Sequence, residues 1–444
     1  MNKKKVLVLD RSYVFKYMNS DLFDVIIVCL QSRSKKKHQR EGLTVVGCFE
    51  EEYDNLPIAN IPDNYLIHSF DSDRFLAKYD WNKRQEILGK EISFWSGILE
   101  SYKPDCIVNE VVTIEWMEVM AIEANIRHIP YYRIALLPFD KEDVWVVNNA
   151  YDSRLGRSFW EGITPVAADY EKAKAYIDLT RGEGRKPYFI KQKQKSQLNN
   201  FIRLIKRYIL VKLDVFFNKG FSYENYLEIT KTRINISWSS FWHHKYDKFE
   251  PEQGIEYLFY PVHFEPEATI EYFSFFFNDQ AMMIGRIAHS LKTNQKLILK
   301  EHPQQKGVLM TKRYRDLKKR YSNLIYLPGN ISSYEIYPHI KCLVTLCGTA
   351  GFESWICKRP VIEFGDVYYS DLPGVIKCEN FKQLYDIIRN DNYVVADDKT
   401  ILEYVAKMYH VLEEVFSPII NGKWSKSDCE VITNKIETLI NHDK

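Results

Sequence analysis

Between Cys342 and Gly365, an apolar run of strand length (Cys342-Leu343-Val344-Thr345-Leu346-Cys347) meets a small-residue turn, Gly348-Thr349-Ala350-Gly351. A short amphipathic run follows, then a second apolar run, Pro360-Val361-Ile362-Glu363-Phe364-Gly365. This order predicts a β-turn-α-β unit whose turn leaves an opening the size of a phosphate, beside the N-terminus of the new helix. Few folds place a strand, a glycine turn, a helix and a parallel strand in succession, so this stretch directs the rest of the chain toward the α/β class.

At 444 residues the chain exceeds one ordinary core and suits two. Its 45% hydrophobic and 14% aromatic content supplies both and excludes wholesale disorder. The net charge of +2 hides local imbalance and says little about partners, so the distribution is read instead; no nucleic-acid partner is expected. Eight cysteines are scattered without C-x-x-C spacing, several within apolar runs, which fits a reducing cytoplasm without disulfides. The apolar run after the basic start, Val6 to Leu9, is too short for a signal peptide. No run approaches the ~20 apolar residues of a spanning helix, so the expected location is cytoplasmic, with any membrane contact peripheral.

Strand-like runs at Val6–Leu9, Val25–Leu30, Thr44–Gly47 and Asp105–Asn109 alternate with helical patterns at Arg84–Tyr102 and Ile114–Ala124. The pattern resumes from about Tyr257, with strands at Tyr257–Tyr260, Lys296–Lys300 and Leu324–Tyr326 and helices between them. The expected fold is α/β, two Rossmann-like lobes in a glycosyltransferase-B-like layout, which epimerases and some phosphotransferases share. The expected division is 1–180 for an acceptor lobe, 181–250 for a basic helical connection, 251–400 for a nucleotide lobe and 401–444 for helices that cross back toward the first lobe. From Arg185 to Lys219 there are ten Lys or Arg and one acid, Asp214. That segment (185–219) reads either as an amphipathic helix at an anionic membrane face or as a connecting helix with a solvated basic side. The aromatic stretch Ile236–Tyr246 reads only as a surface for sugar stacking. Walker A, G-x-G-x-x-G and H-E-x-x-H motifs are absent, and with them the mechanical parts of kinases, dinucleotide oxidoreductases and zinc proteases.

Three second-half segments fall at the carboxyl ends of strands, where α/β sheets hold ligands. Pro261-Val262-His263-Phe264-Glu265-Pro266-Glu267-Ala268-Thr269 offers an imidazole and carboxylates in a proline-stiffened loop. Lys300-Glu301-His302-Pro303 ends a strand, with Pro303 stopping the pairing and aiming His302 outward, where it and Lys300 can offset charge on a departing nucleotide. Gly348, Thr349 and Gly351 let the backbone approach an anion, and Glu353 one turn later can accept ribose hydroxyls.

Together these segments resemble the capsule polysaccharide biosynthesis proteins, a family that includes bacterial β-Kdo glycosyltransferases. The resemblance spans roughly Tyr257–Gly374 and rests on Pro-x-His-x-x-Pro-Glu-Ala-Thr, Lys-Glu-His-Pro, Gly-Thr-x-Gly-x-Glu and Pro-Val-Ile-x-Phe-Gly. It implies a metal-independent, retaining transferase of capsule or lipopolysaccharide synthesis that moves a Kdo-like or nonulosonic acid from a CMP-activated donor to a glycan or glycolipid acceptor. No cofactor beyond that nucleotide-sugar substrate is implied. His302-Pro303 corresponds to the family's His-Pro motif, and Glu265 stands where relatives carry Gln. Glu265 and His263 are then expected to face the transferred sugar. Double displacement needs a carboxylate nucleophile; Glu110 after the strand Asp105–Asn109 is the first candidate, with Asp10 and Glu115 as alternatives. A UDP- or GDP-sugar donor, a CDP-polyol transfer of the teichoic type, and a non-catalytic assembly or export role are the competing readings.

Overall fold

The computed structural model describes residues 3–10, 18, 21–136, 139, 144–148, 150, 154–182, 197–217, 220–224, 226–242, 246–413 and 425–442. The chain divides into two compact units, Met1–Tyr151 with Leu213–Tyr226 and Val411–Lys444, and Asp152–Lys212 with Leu227–His410.

The first unit carries β1 (Lys4–Leu9), β2 (Phe23–Cys29), β3 (Val45–Cys48), β4 (Cys106–Asn109), β5 (Tyr131–Leu136) and β6 (Val144–Asn148), ordered β3-β2-β1-β4-β5-β6. Every pairing is parallel except β5 with β6. Val6, Leu7 and Val8 are buried on both faces of β1, which is why that strand reads as a continuous apolar run rather than an alternating one. The helix Trp81–Tyr102 begins at Asp80, whose side chain accepts the Lys83 N–H at 2.9 Å. It packs on the helix Glu115–Ile126 through the Trp95 and Trp116 rings, 4.7 Å between centroids. The helix Lys426–His442 covers the same sheet with Cys429, Ile432, Ile436 and Ile440, a helical spacing that aligns all four on one face.

The second unit carries β7 (Glu256–Pro261), β8 (Gln295–Lys300), β9 (Leu324–Leu327), β10 (Ile340–Thr345), β11 (Val361–Glu363) and β12 (Val375–Lys377), all parallel, ordered β12-β11-β10-β7-β8-β9. Counted from its own first strand, each sheet follows the doubly wound order 3-2-1-4-5-6. Two Rossmann-like α/β units are thus present, as the alternating pattern predicts.

The structure draws the units differently from the expected cut near 180. The helix Ala167–Arg181 belongs to the second unit, where Arg181 donates from Nε to the Ile356 carbonyl and from Nη1 to Asp398, both at 2.8 Å. Asp169 holds the His410 ring at 2.8 Å. Sequence position alone does not reveal which sheet a helix covers. Three strands also escaped the sequence reading: β5 carries the charged Arg133, β6 runs antiparallel, and β12 has only three residues. Of the basic stretch, residues 185–196 and 218–219 lie outside the described residues, and the rest forms the helix Gln197–Phe217.

Candidate functional site

In a doubly wound sheet the loops leaving the two central strands diverge, which opens a crevice at their carboxyl ends. In the second unit those strands are β7 and β10. Their loops, with those after β8 and β9, enclose a cleft of about 340 Å³. His263, Lys300, His302, Gly348, Thr349 and Glu353 all line it. Glu265 and Gly351 do not.

Lys300 ends β8, paired opposite Pro261 of β7. The residue is only 6% exposed, and it lines the cleft. Burial pushes its pKa down to about 8, against the pull of Glu353 and Glu301. A largely buried cation is costly, and an anion in the cleft would offset that cost.

His302 follows at the strand end. Its Nδ1 accepts the Gln304 N–H at 3.2 Å, so the neutral ring carries its proton on Nε2. Burial, and then the Lys300 charge, push its pKa down to about 4. At neutral pH this imidazole is a hydrogen-bond donor, not a cation.

His263 serves the turn. Gln280 Oε1 accepts from the His263 backbone N–H at 2.7 Å and lies 3.3 Å from Nδ1, while Nε2 lies 3.4 Å from both the Cys347 N and Thr345 Oγ1. A Cβ on Gly348 would stand 3.0 Å from that Nε2, so the turn packs directly onto the ring. Burial holds the His263 pKa at about 4, keeping Nε2 free to accept from the turn. Its geometry is that of a positioning residue for Gly348.

Gly348 caps the helix Thr349–Ile356, whose first turn opens onto the cleft. Gly351 acts at one remove: a Cβ there would fall 2.5 Å from the Tyr369 hydroxyl, and that hydroxyl donates to the Gly348 carbonyl at 2.5 Å. Glu353 lines the cleft while accepting from the Tyr337 hydroxyl at 2.9 Å.

Glu265, expected to face the sugar, is instead tied into its own loop. Its carboxylate accepts from Gln280 Nε2 at 2.6 Å and the Tyr314 hydroxyl at 3.3 Å, while Gln305 bonds its backbone N–H and carbonyl. Burial raises its pKa, and the Gln280 bond opposes the rise. The acid that lines the cleft from this loop is Glu267.

The sequence reading passed over Glu301. Fully buried, its carboxylate accepts the Gly307 and Leu309 N–H groups at 3.0 and 2.9 Å and the Tyr246 hydroxyl at 2.8 Å, folding the loop that presents His302. Tyr246, read as part of a sugar-stacking stretch, thus has a structural task. The rim after β9 was also missed. Ile331, Ser332 and Tyr334 line the cleft, and Ser332 and Glu335 form a capping box legible as Ser-x-x-Glu.

In the first unit the β1–β4 pairing, Val8 opposite Val108, brings Asp10 and Glu110 to neighbouring strand ends at that sheet's own switch point. Glu110 is exposed, and its carbonyl accepts from the Tyr131 hydroxyl at 2.9 Å. Asp10 is buried beside Cys29 and His38, with one ligand atom of each within 4.8 Å of the others. Burial, then Asp10, push the Cys29 thiol far above its ordinary range, which makes it a poor ligand as it stands. Glu115 is fully buried, and burial and the neighbouring Glu91 raise its pKa, which removes it as an accessible nucleophile.

A doubly wound unit with a glycine-turned cleft at its switch point, lined by Lys300, His302 and Glu353, defines a Rossmann-like α/β protein. Residues 190–395 match the family model for capsule polysaccharide biosynthesis proteins, which supports the resemblance drawn from the motifs. No curated protein matches the chain. Among solved structures the chain is similar to Thermosulfurimonas dismutans KpsC, a beta Kdo 2,7 transferase, at 12% identity over 95% of this chain and 100% of that one, TM-score 0.42. It is also similar to the beta Kdo 2,4 transferase of the same KpsC (13%, 75% and 87%, TM-score 0.34) and to Anabaena Alr3699/HepE with UDP-glucose (10%, 98% and 99%, TM-score 0.27). At such identities and scores the likeness carries no information about substrate.

Proposed function

We propose that the cleft binds the phosphate of a sugar nucleotide and that the chain is a glycosyltransferase of bacterial surface-polysaccharide synthesis. The observation that carries this reading is Lys300, a largely buried lysine that lines the cleft and whose pKa burial pushes down to about 8. A phosphate there would meet that charge, the His302 Nε2–H and the backbone N–H groups that open the helix Thr349–Ile356. The match over residues 190–395 supports the polysaccharide context.

In this reading the donor is CMP-activated and carries a Kdo-like or nonulosonic acid, and the acceptor is a glycan or glycolipid. The bond from the anomeric carbon to the phosphate oxygen breaks, CMP departs with the electron pair, and Lys300 and His302 offset the charge it gains. Glu353 is assigned to the ribose. Glu110 is the nucleophile of a retaining course, forming a glycosyl ester that the acceptor hydroxyl displaces.

The test is thermal stabilisation by CMP, CDP, UMP, UDP and GDP. A ligand at about 100 times its Kd adds about 2.7 kcal/mol. Selective stabilisation by CMP that disappears in Lys300→Met is the expected result. Preference for a uridine or guanosine diphosphate reassigns the donor, and silence across the panel overturns the nucleotide reading. Glu110→Gln is expected to keep the CMP shift while losing transfer to acceptor by at least about 100-fold.

A further inference from the structure

We infer that the helix Gln197–Phe217 docks on the surface of an anionic lipid bilayer. Of its 21 residues only Leu204 is buried. Helical spacing aligns Leu198, Ile202, Ile209, Leu213 and Phe216 along one stripe, and each is between 42% and 75% exposed. Arg203 and Lys206 flank the stripe on one side and Lys212 on the other, all exposed, while Asp214 is the helix's one acid. A run of charge alone is usually just solvated, but a solvated face has no use for a continuous exposed row of Leu, Ile and Phe.

The occupant must therefore accept apolar side chains and cationic ones together. A second copy of the helix would bring like charges face to face, with only Asp214 to answer them. Nucleic acid would answer the charge but not the aliphatic stripe. An anionic bilayer answers both, with acyl chains for the stripe and headgroup phosphates for the flanks. Trp238, half exposed on the helix Leu227–Trp242, stands beside Phe201 with ring centroids 5.7 Å apart, which adds the kind of amphipathic ring favoured at headgroup depth. Among the described residues no helix is long and apolar enough to cross a membrane, so contact is along the surface. This inference does not depend on the nucleotide reading.

The experiment is co-sedimentation of the full chain with vesicles of phosphatidylglycerol and phosphatidylethanolamine, against vesicles of phosphatidylcholine alone, at low and high salt. Binding at least tenfold stronger to the anionic vesicles, weakened by salt, is expected. Arg203→Glu with Lys206→Glu, and separately Ile209→Ser with Phe216→Ser, should each lower it at least tenfold, with an unchanged far-ultraviolet circular dichroism melt as the check on folding. No preference for anionic vesicles overturns the proposal. So does loss in the charge variant with none in the apolar variant, which would leave a merely solvated patch. Concentration-dependent dimerisation abolished by Ile209→Ser and Phe216→Ser, without vesicle binding, would give the face to a second copy and overturn it as well.

Discussion

At the scale of single residues, protonation states distribute the work in the cleft. With its pKa pushed down to about 8, Lys300 is cationic at pH 7 and loses that charge over a range in which an ordinary lysine keeps it. His302 and His263, both held at about 4, do not change charge between pH 6 and 9. Affinity for a nucleotide phosphate should therefore fall as pH rises through about 8, toward a limit about tenfold or more weaker. Isothermal titration from pH 6.5 to 9.5 checks this, and Lys300→Met should flatten the profile. A profile equally steep in the variant would move the titrating group elsewhere. Both key residues of this arrangement are legible in sequence, because a strand ending in Lys-Glu-His-Pro can aim its side chains in few directions. The side chains that hold the loops around the cleft are not: Gln280, Gln305 and Glu301 act through hydrogen bonds to backbone groups 6 to 40 positions away, and such pairings leave no local pattern.

At the scale of elements, the glycine turn and its helix work as one assembly. Gly348 leans on His263, and Gly351 makes room for Tyr369, which in turn holds the Gly348 carbonyl. Gly351→Ala drives a methyl group into the Tyr369 hydroxyl and should destabilise the protein by about 1–3 kcal/mol. It should also weaken nucleotide binding although residue 351 does not line the cleft. Tyr369→Phe removes the hydrogen bond without the clash, so it should reproduce the binding loss at less cost in stability, as read by urea melts and titration together. The sequence predicts the turn correctly but assigns Gly351 to the anion, since glycine spacing looks alike whether a phosphate or a tyrosine lies against it. Glu265 shows the same limit: a carboxylate between prolines reads as available until Gln280 and Tyr314 are seen to occupy it.

At the scale of the whole molecule, the two sheets were readable because strands buried on both faces are written as unbroken apolar runs. The membership of each unit was not, because it depends on which sheet a distant helix covers. Ile436, fully buried against the first sheet, offers a direct check. Ile436→Ala should cost about 2–5 kcal/mol. Amide exchange should quicken in β1, β2 and β4 and stay as it was in β7, β8 and β10. Uniform acceleration across both sheets would contradict the two-unit division.

That division also bears on how the protein is made. The first unit gathers residues from 1–151, 213–226 and 411–444, so all of the second lies between its opening strands and its closing helix. On the ribosome, the strands β1 to β6 emerge first yet wait for the helix Lys426–His442 through the synthesis of an entire second sheet. Their apolar face lacks Cys429, Ile432, Ile436 and Ile440 for that interval, and the part begun earliest is the last to be finished.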